Sequence, residues 1–168
     1  PGAGRYGVDS LIQSLLDNGV GPGGNVYAEL GSTWRYLMRD ATQSAHLIGK
    51  LLKYLGPDNV LWGTDSIWYG SPQDQIQAFR VFQIAEELRE SHGYPEVTPQ
   101  VRARIFGLNA ARVYGVDVPA QQRLATADRV ARLQENYRNA PDPHFRTYGP
   151  RTRRQFLNLM QWNGGERA

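Results

Sequence analysis

The chain contains no cysteine. That excludes a disulfide framework, a thiol nucleophile and a zinc site built on thiolates, and it removes redox chemistry as a guide to compartment. Long apolar runs are missing as well. A membrane-spanning helix needs about 20 consecutive apolar residues, and every candidate run here meets a Gly or a charge within a few positions. The chain begins Pro1-Gly2-Ala3-Gly4, without the basic-then-apolar pattern of a secretory leader. With proline rather than methionine first, the expectation is a processed, excised or incomplete chain. The expected location is the cytoplasm.

What is present is 168 residues, a length that fits one ordinary domain, with 40% hydrophobic and 21% charged residues. The net charge of +3 is unevenly distributed. Residues 1–118 carry 10 basic and 12 acidic side chains, whereas residues 119–168 carry nine arginines against four acids. The basic character therefore belongs to the last 50 residues. An arginine-rich segment can meet phosphate or an acidic surface, but the scattered spacing favours arginines that merely solvate a terminal extension. Neither nucleic acid nor membrane is an expected partner. A small-molecule substrate is, together with further copies of the chain.

Apolar periodicity organises the rest. Leu11, Ile12, Leu15 and Leu16 follow Asp9-Ser10 at helical spacing, with Gly19 as the stop. After the Gly/Pro-rich turn 19–24, Asn25 to Leu30 reads as a strand. Ile48, Leu51, Leu52 and Leu55 mark a helix from about Arg39 to Leu55. Asn59 to Asp65 reads as a second strand, apolar until its polar end. Ser71-Pro72 predicts the start of a helix running to about His92, and Thr98-Pro99 the start of another ending at Gly115. One helix is predicted from about Ala120 to Arg138, a loop over 139–150, and a docked helix from Arg151 to Trp162.

Strands alternating with helices imply parallel pairing, and parallel sheets are covered on both faces. Two strands cannot cover these helices, while a closed eight-stranded barrel takes about 250 residues. The expected fold is therefore α/β and partial: the last βα units of a TIM-like barrel over residues 1–118, with a helical, Arg-rich extension over 119–168.

Asp65 is the strongest candidate for chemistry. It stands at the C-terminal end of the apolar strand, where ligands gather in parallel α/β folds. A carboxylate there is a hard oxygen donor for a divalent ion and a proton acceptor. The alternative at that position is a turn or helix cap. Glu29 ends the preceding strand, with capping or pairing to an arginine as its more ordinary role. Ser32-Thr33-Trp34 and Ser66-Ile67-Trp68-Tyr69 fall in the two loops flanking the site, where aromatics could line a pocket or pack against the rest of a barrel. His46 falls off the apolar stripe of its helix and suits a surface or packing role. His92 sits at a helix C-terminus beside Gly93, and His144 in the proline-bearing tail. Gly21-Pro22-Gly23-Gly24 lacks the Gly-Lys-Ser/Thr of a phosphate loop.

The segment Leu55-Gly56-Pro57-Asp58-Asn59-Val60-Leu61-Trp62-Gly63-Thr64-Asp65 resembles the eighth-strand signature of amidohydrolase-related metal-dependent hydrolases. Residues 101–115, with Asn109-Ala110-Ala111-Arg112 before Val113-Tyr114-Gly115, resemble the closing helix of that family, and Asn25 to Leu30 its preceding strand. The resemblance spans roughly residues 8–117. It implies a distorted TIM barrel with Asp65 as metal-ligand aspartate and proton shuttle. It also implies a divalent metal, zinc or alternatively manganese, and hydrolysis of C–N or C–O bonds. Decarboxylation of aromatic or unsaturated acids is the runner-up within the family. A non-catalytic binding or structural module with a basic tail is the alternative outside it. The family's His-x-His pair and mid-barrel histidines have no counterpart here, so the chain by itself is expected to be inactive.

Overall fold

A computed structural model describes residues 8–141 and 152–162. The predicted loop over 139–150 falls mostly outside these residues, as do His144 and Pro1, and the side chains of residues 159–162 are likewise not described.

The helix α1 (Asp9–Asp17) buries Ile12 and Leu15 and leads through a glycine turn to β1 (Ala28–Glu29). The helix α2 (Gly31–Leu37) follows at once, then α3 (Ala41–Tyr54) and β2 (Val60–Leu61). Asp40 caps α3 by accepting from the Gln43 amide at 2.9 Å, the hydroxyl-or-carboxylate cap that stabilises a helix start. The two strands pair in parallel, Ala28 with Val60 and Glu29 with Leu61.

Both strands are shorter than the apolar runs suggested. The amides of Ala28 and Leu30 reach across to the carbonyls of Asn59 and Leu61 at 2.9 and 3.0 Å. On the N-terminal side the Asn59 side chain substitutes for the ladder, donating to the Gly24 and Val26 carbonyls at 2.7 Å. Beyond Leu61 the chain turns out of register toward Asp65. Among the described residues the sheet has two strands, and the partial barrel remains an expectation.

The apolar core lies between these strands and the helices around them. Ile48, Leu55 and Val60 are fully buried, as are Phe79, Val97 and Ile105. Trp34 meets Phe79 and Phe82 edge-on, with ring centroids at 5.1 and 5.5 Å. Of the two roles left open for Trp34, lining a pocket or packing, the structure shows packing in the core. The helix over 31–37 turns its ring inward, where its indole N–H donates to the Gln75 carbonyl at 3.1 Å.

The predicted single helix from Ser71 to His92 is two. The helix α4 (Ser66–Tyr69) precedes it, α5 (Gln73–Val81) begins after Pro72, and α6 (Glu86–His92) ends on left-handed Gly93. Phe82 is extended at ψ 137°, which lets its ring enter the core, and the Arg102 guanidinium takes over the end of α5. Arg102 Nε donates to the Phe79 carbonyl at 3.1 Å and its terminal nitrogen to that of Phe82 at 2.6 Å. A cation on terminal carbonyls supplies hydrogen bonds and complements the helix dipole.

Thr98 caps α7 (Pro99–Ala103) as its hydroxyl suggested, accepting from the Val101 amide at 3.2 Å. A π-helical turn (Arg104–Leu108) then leads into α8 (Asn109–Val113), which gives way to Gly115 at φ 66°. The extension forms α9 (Val118–Ala127) and α10 (Arg129–Asn139), not one helix. Asp128 breaks it, because its carboxylate accepts from the Ala131 amide at 2.7 Å and starts the second helix. Leu124, Val130 and Leu133 stay exposed there. The helix α11 (Arg153–Trp162) packs on α5 and buries Phe156, in line with the expected docking. Among the described residues, no helix is long and apolar enough to cross a membrane.

Candidate functional site

The C-terminal ends of the two parallel strands bring Glu29 and Asp65 to one place, as strand polarity requires. Between them stands the start of α2. Its first two amides divide the carboxylates: Gly31 N donates to Glu29 Oε1 at 3.0 Å, and Ser32 N donates to Asp65 Oδ2 at 2.7 Å. A helix start offers unpaired amides and a positive dipole end, so both anions are placed where they are favoured.

Gly31 and Gly63 make this convergence possible. At Gly31 the backbone is left-handed, and a Cβ would lie 2.7 Å from Glu29 Oε2 and 2.8 Å from Asp65 Oδ2. At Gly63 a Cβ would coincide with Glu29 Oε1. The carboxylate of Glu29 thus occupies the space a side chain at position 63 would take.

Asp65 is the one non-glycine residue with positive φ among the described residues, at 49°. It stands at the cap position of α4 yet makes no side-chain bond to that helix. Its carboxylate reaches instead across 33 positions to Ser32, whose Oγ donates to Oδ2 at 2.5 Å beside the amide. The Tyr69 hydroxyl lies 3.0 Å from Ser32 Oγ and 3.1 Å from the Tyr36 hydroxyl. With the Ser32 proton directed at Asp65, Tyr69 has one proton for two neighbours. The Tyr69 ring meets Tyr36 edge-on at 5.9 Å and lies under the Arg35 guanidinium at 5.8 Å.

The electrostatics follow from the crowding. Partial burial and then the negative charge of Asp65 raise the Glu29 carboxyl above its ordinary range, against the lowering effect of the Gly31 amide. The Glu29 side chain still reaches solvent. Hydrogen bonds to Ser32 and then Tyr36 lower the Tyr69 phenol.

Of the sequence-derived candidates, Asp65, Glu29, Ser32 and Tyr69 converge, and Thr33 lines, together with Glu29, a cavity of about 170 Å³ beside β1. Ile67 and Trp68 project into solvent, 84% and 77% exposed. Glu29 takes the capping role and pairs with no arginine among the described residues. His46 and His92 lie elsewhere, clustered with Tyr94. Tyr36 was not singled out by sequence reasoning; its place one helical turn after Ser32 was the available signal.

The closing-helix motif has a structural explanation. Asn109 is buried and donates to the carbonyls of Pro57 and Val60, both at 2.8 Å. Arg112 donates to the Asp58 carbonyl at 2.7 Å, and Arg104 bridges to the Asp58 carboxylate at 3.1 Å. Since the Asn59 and Leu61 carbonyls face β1, that of Val60 faces outward, and Asn109 satisfies the outer edge of β2.

A divalent ion of the zinc type takes four nitrogen, oxygen or sulfur ligands. The two carboxylates supply hard oxygens, but Asp65 Oδ2 is already held by two donors. No group of three or more His, Asp or Glu able to hold a metal occurs among the described residues. These residues by themselves do not complete such a site.

Comparison with curated proteins and with solved structures gave no match. A family comparison did: the amidohydrolase family matches residues 23–116, a stretch that contains both strands, both carboxylates and the Asn109–Arg112 clamp. Its members generally are hydrolases or lyases and typically use divalent metals. More than half of the chain lies in that match, and the chain belongs to the amidohydrolase family.

Proposed function

We propose that residues 1–118 form the closing βα units of a metal-dependent hydrolase barrel, with Asp65 as the carboxylate that serves its reaction. The observation carrying this reading is the side chain of Asp65. It leaves its own helix uncapped, adopts a left-handed backbone, and is held at the strand ends by two donors from Ser32. An aspartate serving only as a local cap would bond its own helix start.

The activity proposed for the complete protein is hydrolysis of a C–N or C–O bond; zinc or manganese would be held mainly by ligands outside these residues and would supply activation of water. This chain's part is to present the Asp65 carboxylate and orient it through Ser32. Without the remaining ligands the chain by itself is inactive. Residues 119–168 form an appended extension.

The test uses the complete protein loaded with zinc or manganese. Esters and anilides of 4-nitrophenol and 4-nitroaniline probe C–O and C–N hydrolysis, and carbon dioxide release from aromatic carboxylic acids probes decarboxylation. Asp65→Asn is expected to lower turnover by roughly 10²- to 10⁴-fold, the usual worth of a positioned acid–base group, and to weaken metal retention. Near-wild-type turnover in metal-loaded Asp65→Asn protein overturns the reading.

A further inference from the structure

We infer that Ser32 is the positioning residue of the site, holding one oxygen of Asp65 so that the other is presented to the reacting groups. The inference rests on the proposed role of Asp65 and concerns how that carboxylate is aimed.

Three observations carry it. First, both donors of Ser32, amide at 2.7 Å and hydroxyl at 2.5 Å, converge on Oδ2, and neither engages Oδ1. Two charge-assisted bonds on one oxygen fix both the position and the rotation of the carboxylate plane. Second, nothing local competes for that aim, because Asp65 makes no side-chain bond to α4. A left-handed non-glycine backbone is strained and persists where surrounding contacts impose it. The Ser32 pair is such a contact.

Third, the approach of Ser32 is itself prepared. Gly31 leaves the space through which the Asp65 carboxylate reaches the helix start, where a Cβ would stand 2.8 Å from Oδ2. The Tyr69 hydroxyl, 3.0 Å from Ser32 Oγ, restricts the rotation of the serine side chain from the far side. Tyr69 lies on α4, which Asp65 itself starts, so the loop carrying the carboxylate also carries the group that steadies its partner.

The experiment compares Ser32→Ala, Ser32→Thr and Asp65→Asn in the complete protein. Removing a hydrogen bond to a charged group costs about 1.5–3 kcal/mol, so Ser32→Ala is expected to lower kcat by about ten- to a hundredfold, with KM changed by less than about twofold. Ser32→Thr restores most of the loss, since it keeps the hydroxyl. The carboxyl carbon resonance of Asp65, assigned by its disappearance in Asp65→Asn, is expected to move in Ser32→Ala and return in Ser32→Thr. An unmoved resonance overturns the inference, whatever the activity. Unchanged kcat in Ser32→Ala beside an inactive Asp65→Asn removes the role of Ser32 alone. An active Asp65→Asn removes the role of Asp65 and this inference with it. Loss of turnover that tracks a lowered unfolding midpoint, without rescue by threonine, assigns Ser32 to folding and also overturns it.

Discussion

The carboxylate of Glu29 occupies the space that a side chain at Gly63 would fill, so the end of β1 is packed directly against the segment leaving β2. Because that oxygen is the far end of a flexible side chain, Gly63→Ala is expected to expel it and cost the Gly31 amide its partner. The expected loss is about 1 kcal/mol, the net worth of a typical hydrogen bond. The cost should shrink when Glu29→Ala is already present. Urea unfolding of the four members of this cycle checks it, and strictly additive effects contradict the contact.

Gly49 faces a harder obstacle. A Cβ there would lie 2.3 Å from Cγ of the ring of Tyr94, which is buried and hydrogen-bonded through its hydroxyl to His46 Nδ1 at 2.9 Å. Gly49→Ala should therefore destabilise the chain by about 1–3 kcal/mol through overpacking, although alanine is the better helix former. Thermal unfolding should show a lowered midpoint, partly recovered in a Gly49→Ala, Tyr94→Leu double variant. A raised midpoint in Gly49→Ala would falsify the packing described.

His46 contributes a pH dependence of definite sign. Burial first, then the neighbouring His92 and Lys50, lower its pKa below the ordinary 6.5. The unfolded chain thus takes up the proton more readily than the folded one. The stability that His46 contributes is complete above pH 6.5 and is lost as the pH falls from there through the lowered folded value. Denaturant unfolding at pH 7.5 and 5.5 should show a smaller acid loss in His46→Gln than in the unsubstituted chain. Equal losses would contradict the assignment.

Asn109 ties the closing helix to β2 through two carbonyls, at Pro57 and Val60. Asn109→Ala leaves both acceptors without that donor, and an unsatisfied buried group costs about 1–3 kcal/mol. The expected result is a lower unfolding midpoint and faster hydrogen exchange across Val60 and Leu61. Protection unchanged at these amides would show that the clamp does not hold the strand.

The two edges of the sheet differ. That of β2 is satisfied at Val60 by Asn109, whereas β1 has no second neighbour among the described residues and borders the cavity lined by Val8, Leu11, Leu47 and Leu51 together with Glu29 and Thr33. An open edge beside a mostly apolar hollow favours association. The isolated chain is expected to sediment as oligomers; a monodisperse monomer that unfolds cooperatively would count against the partial-barrel proposal.

Local chemistry by itself determined the helix start at Thr98, the glycine stops at Gly93 and Gly115, the parallel order of the strands and the placing of Asp65 at a strand end. Each depends on spacing or on a side chain bonding its own backbone, which a linear reading contains. Tertiary structure decided the rest. Phe82 leaves its helix because the core accepts its ring and Arg102 caps the carbonyls behind it, a partner 20 positions away. Trp34 turns inward because Phe79 and Phe82 receive it. Asp65 was visible as a candidate, but the direction of its carboxylate depends on Ser32, 33 positions away, and on the space left by Gly31. Residue type and spacing can place an acid at a strand end; only contacts between distant segments can aim it.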